Sequence, residues 1–158
     1  MTHNEIVQEL KNKFGEAVIE STDQMPTDQF ITVASDQLFE ICHTLRDNDQ
    51  FQFDYLMSLS GIDAEENVGV VYHLYSMQLK HKLVIKTLVP KSNPVVPTVE
   101  RIWRSADWHE REAYDLLGVQ FEGHHNMIRI LCPYDWEGYP LRKDYETPES
   151  YHGMKIAY

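Results

Sequence analysis

The sequence predicts an α+β fold: a two-layer sandwich of a mainly antiparallel sheet with helices on one face, plus an irregular, extended C-terminal tail. Three observations carry that prediction. Apolar residues recur at helical spacing in residues 3–14 and again after Ser35. Three strand-length segments follow one another between Phe53 and Val89, joined by short polar connections. After Gly118 neither period persists, although aromatic residues stay frequent.

Ile6, Val7, Leu10 and Phe14 line one face of a first helix, and Gly15 supplies its stop. Ala17 to Ser21 reads as a strand, Asp23 to Pro26 as a turn, and Gln29 to Val33 as a second strand, close enough to form a hairpin. Ser35 and Asp36 are N-cap candidates for a helix carrying Leu38, Phe39, Ile41, Cys42 and Leu45. Residues 53–62, 69–77 and 82–89 are the three strands of an antiparallel meander. The middle one is apolar on both faces, which suggests a central position. Pro90, Pro94 and Pro97 then end the sheet. Val99 to Trp103 can form a short helical segment. Asp107 can cap a further helix over about 108–117, with Glu110 three residues on to complete a capping box, and Gly118 ends it. The chain divides into an α+β domain over 1–118 and a docking tail over 119–158.

Composition narrows the function. A formal net charge of −11 argues against a nucleic-acid surface, which needs a basic stripe, and against direct binding to anionic lipid. Residues 1–14 lack the apolar segment of a secretory signal, and no run approaches the length of a membrane span. The two cysteines, Cys42 and Cys132, form no CxxC and cannot supply a four-thiolate cluster.

The chemistry-bearing residues crowd into 110–145. His124 and His125 are adjacent, with His109, Glu110 and Glu112 upstream, which invites a metal reading. Against it, there is no HExxH, and neighbouring side chains on an extended backbone point apart. No GxSxG, GxGxxG or Walker-type loop occurs. Glu110, Arg111, Glu112 and Asp115 are followed by Arg129, Arg142, Lys143 and Asp144, among Tyr114, Phe121, Tyr134, Trp136, Tyr139 and Tyr145. Arginine with large aromatics is the composition of an interface. The alternative is internal: Arg111 and Arg142 pair with acids of the same chain and lock the tail to the helix.

The same residues carry a resemblance. Glu110-Arg111-Glu112, Tyr114-Asp115-Leu116-Leu117-Gly118-Val119, Gly123-His124, Arg129-Ile130-Leu131, Asp135-Trp136-Glu137-Gly138 and Pro140-Leu141-Arg142-Lys143-Asp144-Tyr145 resemble the signature of the C-type, or 30 kDa, subunit of proton-translocating NADH:quinone oxidoreductase, respiratory complex I. His125, Ile128 and Tyr139 depart from the family pattern. The resemblance implies a non-catalytic structural subunit of the hydrophilic arm. It would sit peripherally on the cytoplasmic side of a bacterial inner membrane and brace the D-type and B-type subunits. FMN, iron–sulfur clusters and quinone would belong to other subunits, and this chain would hold no cofactor or metal. Glu110, Arg111, Glu112, Asp115, Gly118 and His124 would form the internal network. Arg129, Trp136, Arg142, Lys143, Asp144 and Tyr145 would contact the partner. Relatives also occur in membrane-bound hydrogenases and ferredoxin-linked quinone reductases. The enzymatic alternative is a stand-alone metal hydrolase using His109, Glu112, His124 and His125.

Overall fold

The computed structural model describes residues 1–22 and 29–156 and, for residues 20–22, the backbone alone. The turn expected at residues 23–26 lies outside the described residues. Helix α1 (His3–Phe14) buries Ile6, Val7 and Leu10. A capping box opens it: Thr2 Oγ1 accepts the Glu5 N–H, and Glu5 Oε2 accepts the Thr2 N–H at 2.8 Å. Gly15 ends it at φ +56°, a conformation that side chains disfavour.

Strands β1 (Val18–Thr22) and β2 (Phe30–Val33) pair antiparallel, as their proximity in sequence implies. Between β2 and helix α2 (Leu38–Asp47) a 3-10 turn occupies Ser35–Gln37. Neither Ser35 nor Asp36 caps α2, because the turn places Gln37 at the helix start and no side chain makes a capping bond there. Leu38, Ile41, Cys42 and Leu45 are all fully buried.

Strands β3 (Tyr55–Ala64), β4 (Asn67–Tyr75) and β5 (Lys82–Pro90) form the antiparallel meander. The sheet order is β1-β2-β5-β4-β3, so β4 is flanked on both sides. Within this five-stranded sheet the one parallel pairing described joins β2 to β5. Val68, Val70, Tyr72 and Leu74 point from β4 into the core and are fully buried. Each such side chain contributes roughly 1.5–3 kcal/mol of apolar burial.

After β5 the chain makes a three-residue strand β6 (Val95–Pro97), then helix α3 (Ala106–Leu117), then β7 (Gln120–Glu122), which pairs parallel with β6. Residues 99–103 form hydrogen-bonded turns rather than the expected helical segment, with the Ile102 and Trp103 N–H groups both donating to Val99 O. The core extends past Gly118, because Val119 and Phe121 are buried with it. From residue 123 to 149 the chain has neither helix nor strand; a two-residue pair, β8 (Ser150–Tyr151) and β9 (Met154–Lys155), follows.

Helix α3 packs on β3 at Gly61. A Cβ there would lie 2.6 Å from Leu117 Cδ1 and 3.3 Å from Ala113 Cβ. Gly61→Val is therefore expected to cost about 1–3 kcal/mol through overpacking. Urea denaturation checks it; an unchanged midpoint would contradict this helix–sheet contact.

Candidate functional site

The site is built around α3, whose two ends organise different segments. At its start, Asp107 and Glu110 do not form the expected capping box: the helix begins at Ala106, with Ser105 ahead of it and no side-chain cap. Glu110 turns inward and is fully buried. Its Oε1 accepts the Val99 N–H at 2.7 Å and its Oε2 accepts the Thr98 hydroxyl. Those donors come from a segment that has left the sheet and lost its ladder partners. Burial pushes the Glu110 carboxyl up to about 7; the Thr98 and Val99 donors oppose the shift, and the Glu100 and Asp107 charges add to it.

Near the helix end, Asp115 is fully buried. Its Oδ2 accepts three successive main-chain N–H groups, from Ile130 (3.1 Å), Leu131 (2.7 Å) and Cys132 (2.8 Å). Its Oδ1 accepts Arg129 Nη1 at 2.7 Å. Burial alone would raise this carboxyl. The Cys132 N–H, the Arg129 guanidinium and the Leu131 and Ile130 N–H groups outweigh it and hold the group below the usual carboxylate range. Arg129 also reaches Gly138 O at 2.9 Å, so one side chain bridges the helix to a distant part of the tail.

The helix terminus is closed by the tail. Gly118 adopts φ +73°, and a Cβ there would meet the Tyr139 ring at 2.5 Å. The Tyr139 ring meets two guanidinium groups, with Arg142 at 4.7 Å and Arg129 at 5.4 Å from its centroid. Arg142 Nε donates to Leu117 O at 2.6 Å, and the Leu141 N–H donates to Leu116 O at 3.0 Å. These satisfy carbonyls that a helix end leaves open. The Lys143 N–H donates to Asp63 Oδ2 at 2.8 Å, and Lys91 Nζ lies 3.0 Å from Asp63 Oδ1 and 3.7 Å from Asp144 Oδ1. Trp136 Nε1 donates to the Tyr145 hydroxyl at 3.0 Å.

A second cluster lies at the start of the tail. Gly123 at φ +83° turns the chain, and the His124 and His125 rings stack at 5.2 Å with 16° between planes. The expectation that they point apart assumed an extended backbone, which this turn replaces. The His124 side chain is fully buried, with Nε2 3.3 Å from Asp107 Oδ1, 3.5 Å from Glu100 Oε2 and 3.9 Å from Glu110 Oε2. Its Nδ1 accepts the Asn126 N–H at 3.0 Å, which puts the ring proton on Nε2. His125 Nδ1 lies 2.6 Å from Glu100 Oε2. Among the described residues, the His/Cys/Asp/Glu group whose ligand atoms converge is Glu100, Asp107, His124 and His125, all within 4.8 Å. His109 and Glu112 are not part of it; they line a groove of about 260 Å³ between β3 and α3, so the hydrolase ligand set is not assembled.

Asp115, Gly118 and His124 thus hold the tail from inside, as do Arg129, Arg142 and Tyr145, while Glu110 holds residues 98–99. Arg111 also joins the network, but through main-chain carbonyls: Nε donates to Ile128 O and Nη2 to Arg129 O, while the guanidinium covers Trp108 at 4.8 Å. The internal pairing of Arg111 and Arg142 with acids is therefore replaced by carbonyl contacts, because an irregular tail and a helix end expose unpaired C=O groups. Sequence reasoning missed Thr98, Glu100, Asp63 and Lys91 as members of the network. The prolines before Thr98 signalled a chain leaving the sheet, but nothing in their spacing pointed at α3. Facing outward are Ile128, Leu131, Tyr134 and Leu141, exposed at 53%, 63%, 92% and 61%.

A family model described as the respiratory-chain NADH dehydrogenase 30 Kd subunit matches residues 31–151. The NADH-quinone oxidoreductase C-type subunit of Chloroherpeton thalassium is 46% identical over 159 residues, covering 99% of this chain and 66% of that protein. The protein of the same name from Chlorobium phaeobacteroides is 43% identical over 154 residues, covering 94% and 92%. A solved trypsin-resistant fragment of Nqo5 superposes with TM-score 0.66 at 25% identity, covering 80% of this chain and 99% of the fragment. A chain of the membrane-bound sulfane sulfur reductase, an archaeal respiratory membrane complex, superposes with TM-score 0.73 at 27% identity, covering 90% and 85%.

Asp115→Asn is expected to destabilise the isolated chain by about 3 kcal/mol, since it removes the charge that Arg129 and three N–H groups face. The sign with pH follows from the lowered folded-state pKa. The carboxylate's contribution is complete above its unfolded value, about 3.9, and is lost as pH falls through the lower folded one. Urea titrations from pH 7 downward check this: the gap between variant and parent is constant above about pH 4 and narrows progressively below it.

Proposed function

Because the chain belongs to the family of the respiratory-chain NADH dehydrogenase 30 kDa subunit, we propose that it is a non-catalytic structural subunit of the hydrophilic arm of an NADH:quinone oxidoreductase. It braces the D-type and B-type subunits that form the quinone site and hold the terminal iron–sulfur cluster. The complex passes electrons from NADH to quinone and couples this to proton translocation, with FMN, iron–sulfur clusters and quinone on other subunits. The chain associates with the cytoplasmic face of a bacterial inner membrane through its partners. Among the described residues, no helix is long and apolar enough to cross a membrane, which agrees with a peripheral position.

The observation that carries the docking role is the exposure of Leu131, Tyr134 and Leu141 on a tail whose shape is held from within. Exposed apolar side chains on an ordered segment are what a partner buries. Asp144, Lys143 and the half-buried Trp136 would frame that contact, while Arg129, Arg142 and Tyr145 act by shaping the tail. A place in a membrane-bound hydrogenase or ferredoxin-linked reductase is less favoured, because the curated relatives are named as NADH-quinone oxidoreductase components.

The test separates docking from folding. In a chain carrying Leu131→Asp and Tyr134→Asp, the isolated protein melts within about 0.5 kcal/mol of the parent, as exposed substitutions do. Pull-down from detergent-solubilised native membranes then loses the D-type and B-type subunits. Normal recovery of both by the variant would exclude this face as the docking surface.

A further inference from the structure

We propose that Glu100, Asp107, His124 and His125 form a structural zinc site that pins the start of the tail to α3. This departs from the expectation, carried by the resemblance, that the chain holds no metal.

The donor set is mixed, two imidazoles and two carboxylates, which suits Zn²⁺ better than the all-oxygen set of a hard cation. Its geometry is close to a coordination shell. Ligands about 2.0–2.2 Å from a tetrahedral metal stand roughly 3.3–3.5 Å from each other. His124 Nε2 lies 3.3 Å from Asp107 Oδ1 and 3.5 Å from Glu100 Oε2, separations long for charge-assisted hydrogen bonds but matched to that edge. All four ligand atoms fall within 4.8 Å.

Two further observations point to a cation. Asp107 Oδ1 is buried and accepts no hydrogen bond, although it faces His124. Two carboxylates, from Glu100 and Asp107, face His124 Nε2, and among the described residues no lysine or arginine pairs with either. A divalent ion at the centre supplies the missing positive charge.

The surrounding bonds hold the ligands in place. The His125 N–H donates to Glu100 Oε1 at 2.9 Å, which leaves Oε2 turned toward the rings. Thr98 Oγ1 accepts the Glu100 N–H at 3.2 Å and itself donates to Glu110, so it links the ligand loop to the buried acid beside the site. Binding at Nε2 moves the His124 proton to Nδ1, so Nε2 no longer donates to Asp107 O (3.3 Å) and the exposed Asn126 N–H gives up its bond to Nδ1 for water. His125 breaks its 2.6 Å contact with Glu100 Oε2 so that both atoms face the ion. With four protein ligands the shell is closed, which makes the site structural rather than hydrolytic.

The experiment uses the full chain. The protein is equilibrated with Zn²⁺, freed of excess over a chelating resin and assayed for bound metal, and its affinity is measured against a fluorescent zinc chelator. Co²⁺ is then used as a spectroscopic substitute. The inference predicts one zinc per chain, intense visible bands of tetrahedral Co²⁺, and a loss of at least tenfold in affinity in both His125→Ala and Asp107→Asn. His125 is exposed, so its variant folds and reports on the ligand alone. An Asn126 amide shift on zinc addition, absent in His125→Ala, gives a readout independent of affinity. Zinc removed completely by the resin, weak octahedral Co²⁺ bands, or parental affinity in both variants would overturn the proposal.

Discussion

One buried carboxylate sets the conformation of the C-terminal third. Asp115 sits on the last turns of α3 with no exposed surface, yet it is ionised because three consecutive amides and the Arg129 guanidinium point at it. Successive N–H groups aimed at one anion form a concave nest, and the anion in turn fixes the backbone that makes it. The consequences spread outward. Arg129 is held by Asp115 and carries Gly138 on its other nitrogen; the Tyr139 ring then meets both Arg129 and Arg142, and Arg142 closes the end of α3 through Leu117 O. A segment with no core of its own is shaped by polar contacts to a helix that has one.

The elements with a strong apolar period were legible. Helix α1, the helix from Leu38 and the β3-β4-β5 meander stand within a few residues of where spacing placed them, because burial of one face dictates both period and position. Pairs of three-residue strands such as β6 and β7 leave no period to read. The start of α3 was misread for a specific reason. Asp107 and Glu110 have the spacing of a capping box, but Glu110 has closer donors in Thr98 and Val99, and those are distant in sequence. The two histidines were placed apart by a rule for extended chains, which Gly123 breaks. Arg111 and Arg142 were matched to acids, whereas they satisfy carbonyls whose lack of partners appears only in three dimensions.

The candidate site was legible as a set of residues through its resemblance to a family signature, and its division of labour was not. Signature residues such as Glu110, Asp115, Gly118, His124, Arg129 and Arg142 face inward and build shape. The residues that the proposed role leaves for a neighbour are plain apolar ones, Leu131, Tyr134 and Leu141, which no motif rule singles out. Under the proposed role the chain works by presenting a preformed, irregular surface, so the cost of ordering that surface is met within the chain before any partner arrives.

Amide hydrogen exchange on the isolated chain tests this most directly. If Asp115 shapes the tail, the Ile130, Leu131 and Cys132 amides exchange far more slowly than those of an unstructured peptide, and Asp115→Asn removes that protection while β4 stays protected. Exchange of these three amides at unstructured rates in the parent chain would contradict the account, and would mean that the tail takes its shape only from its partners.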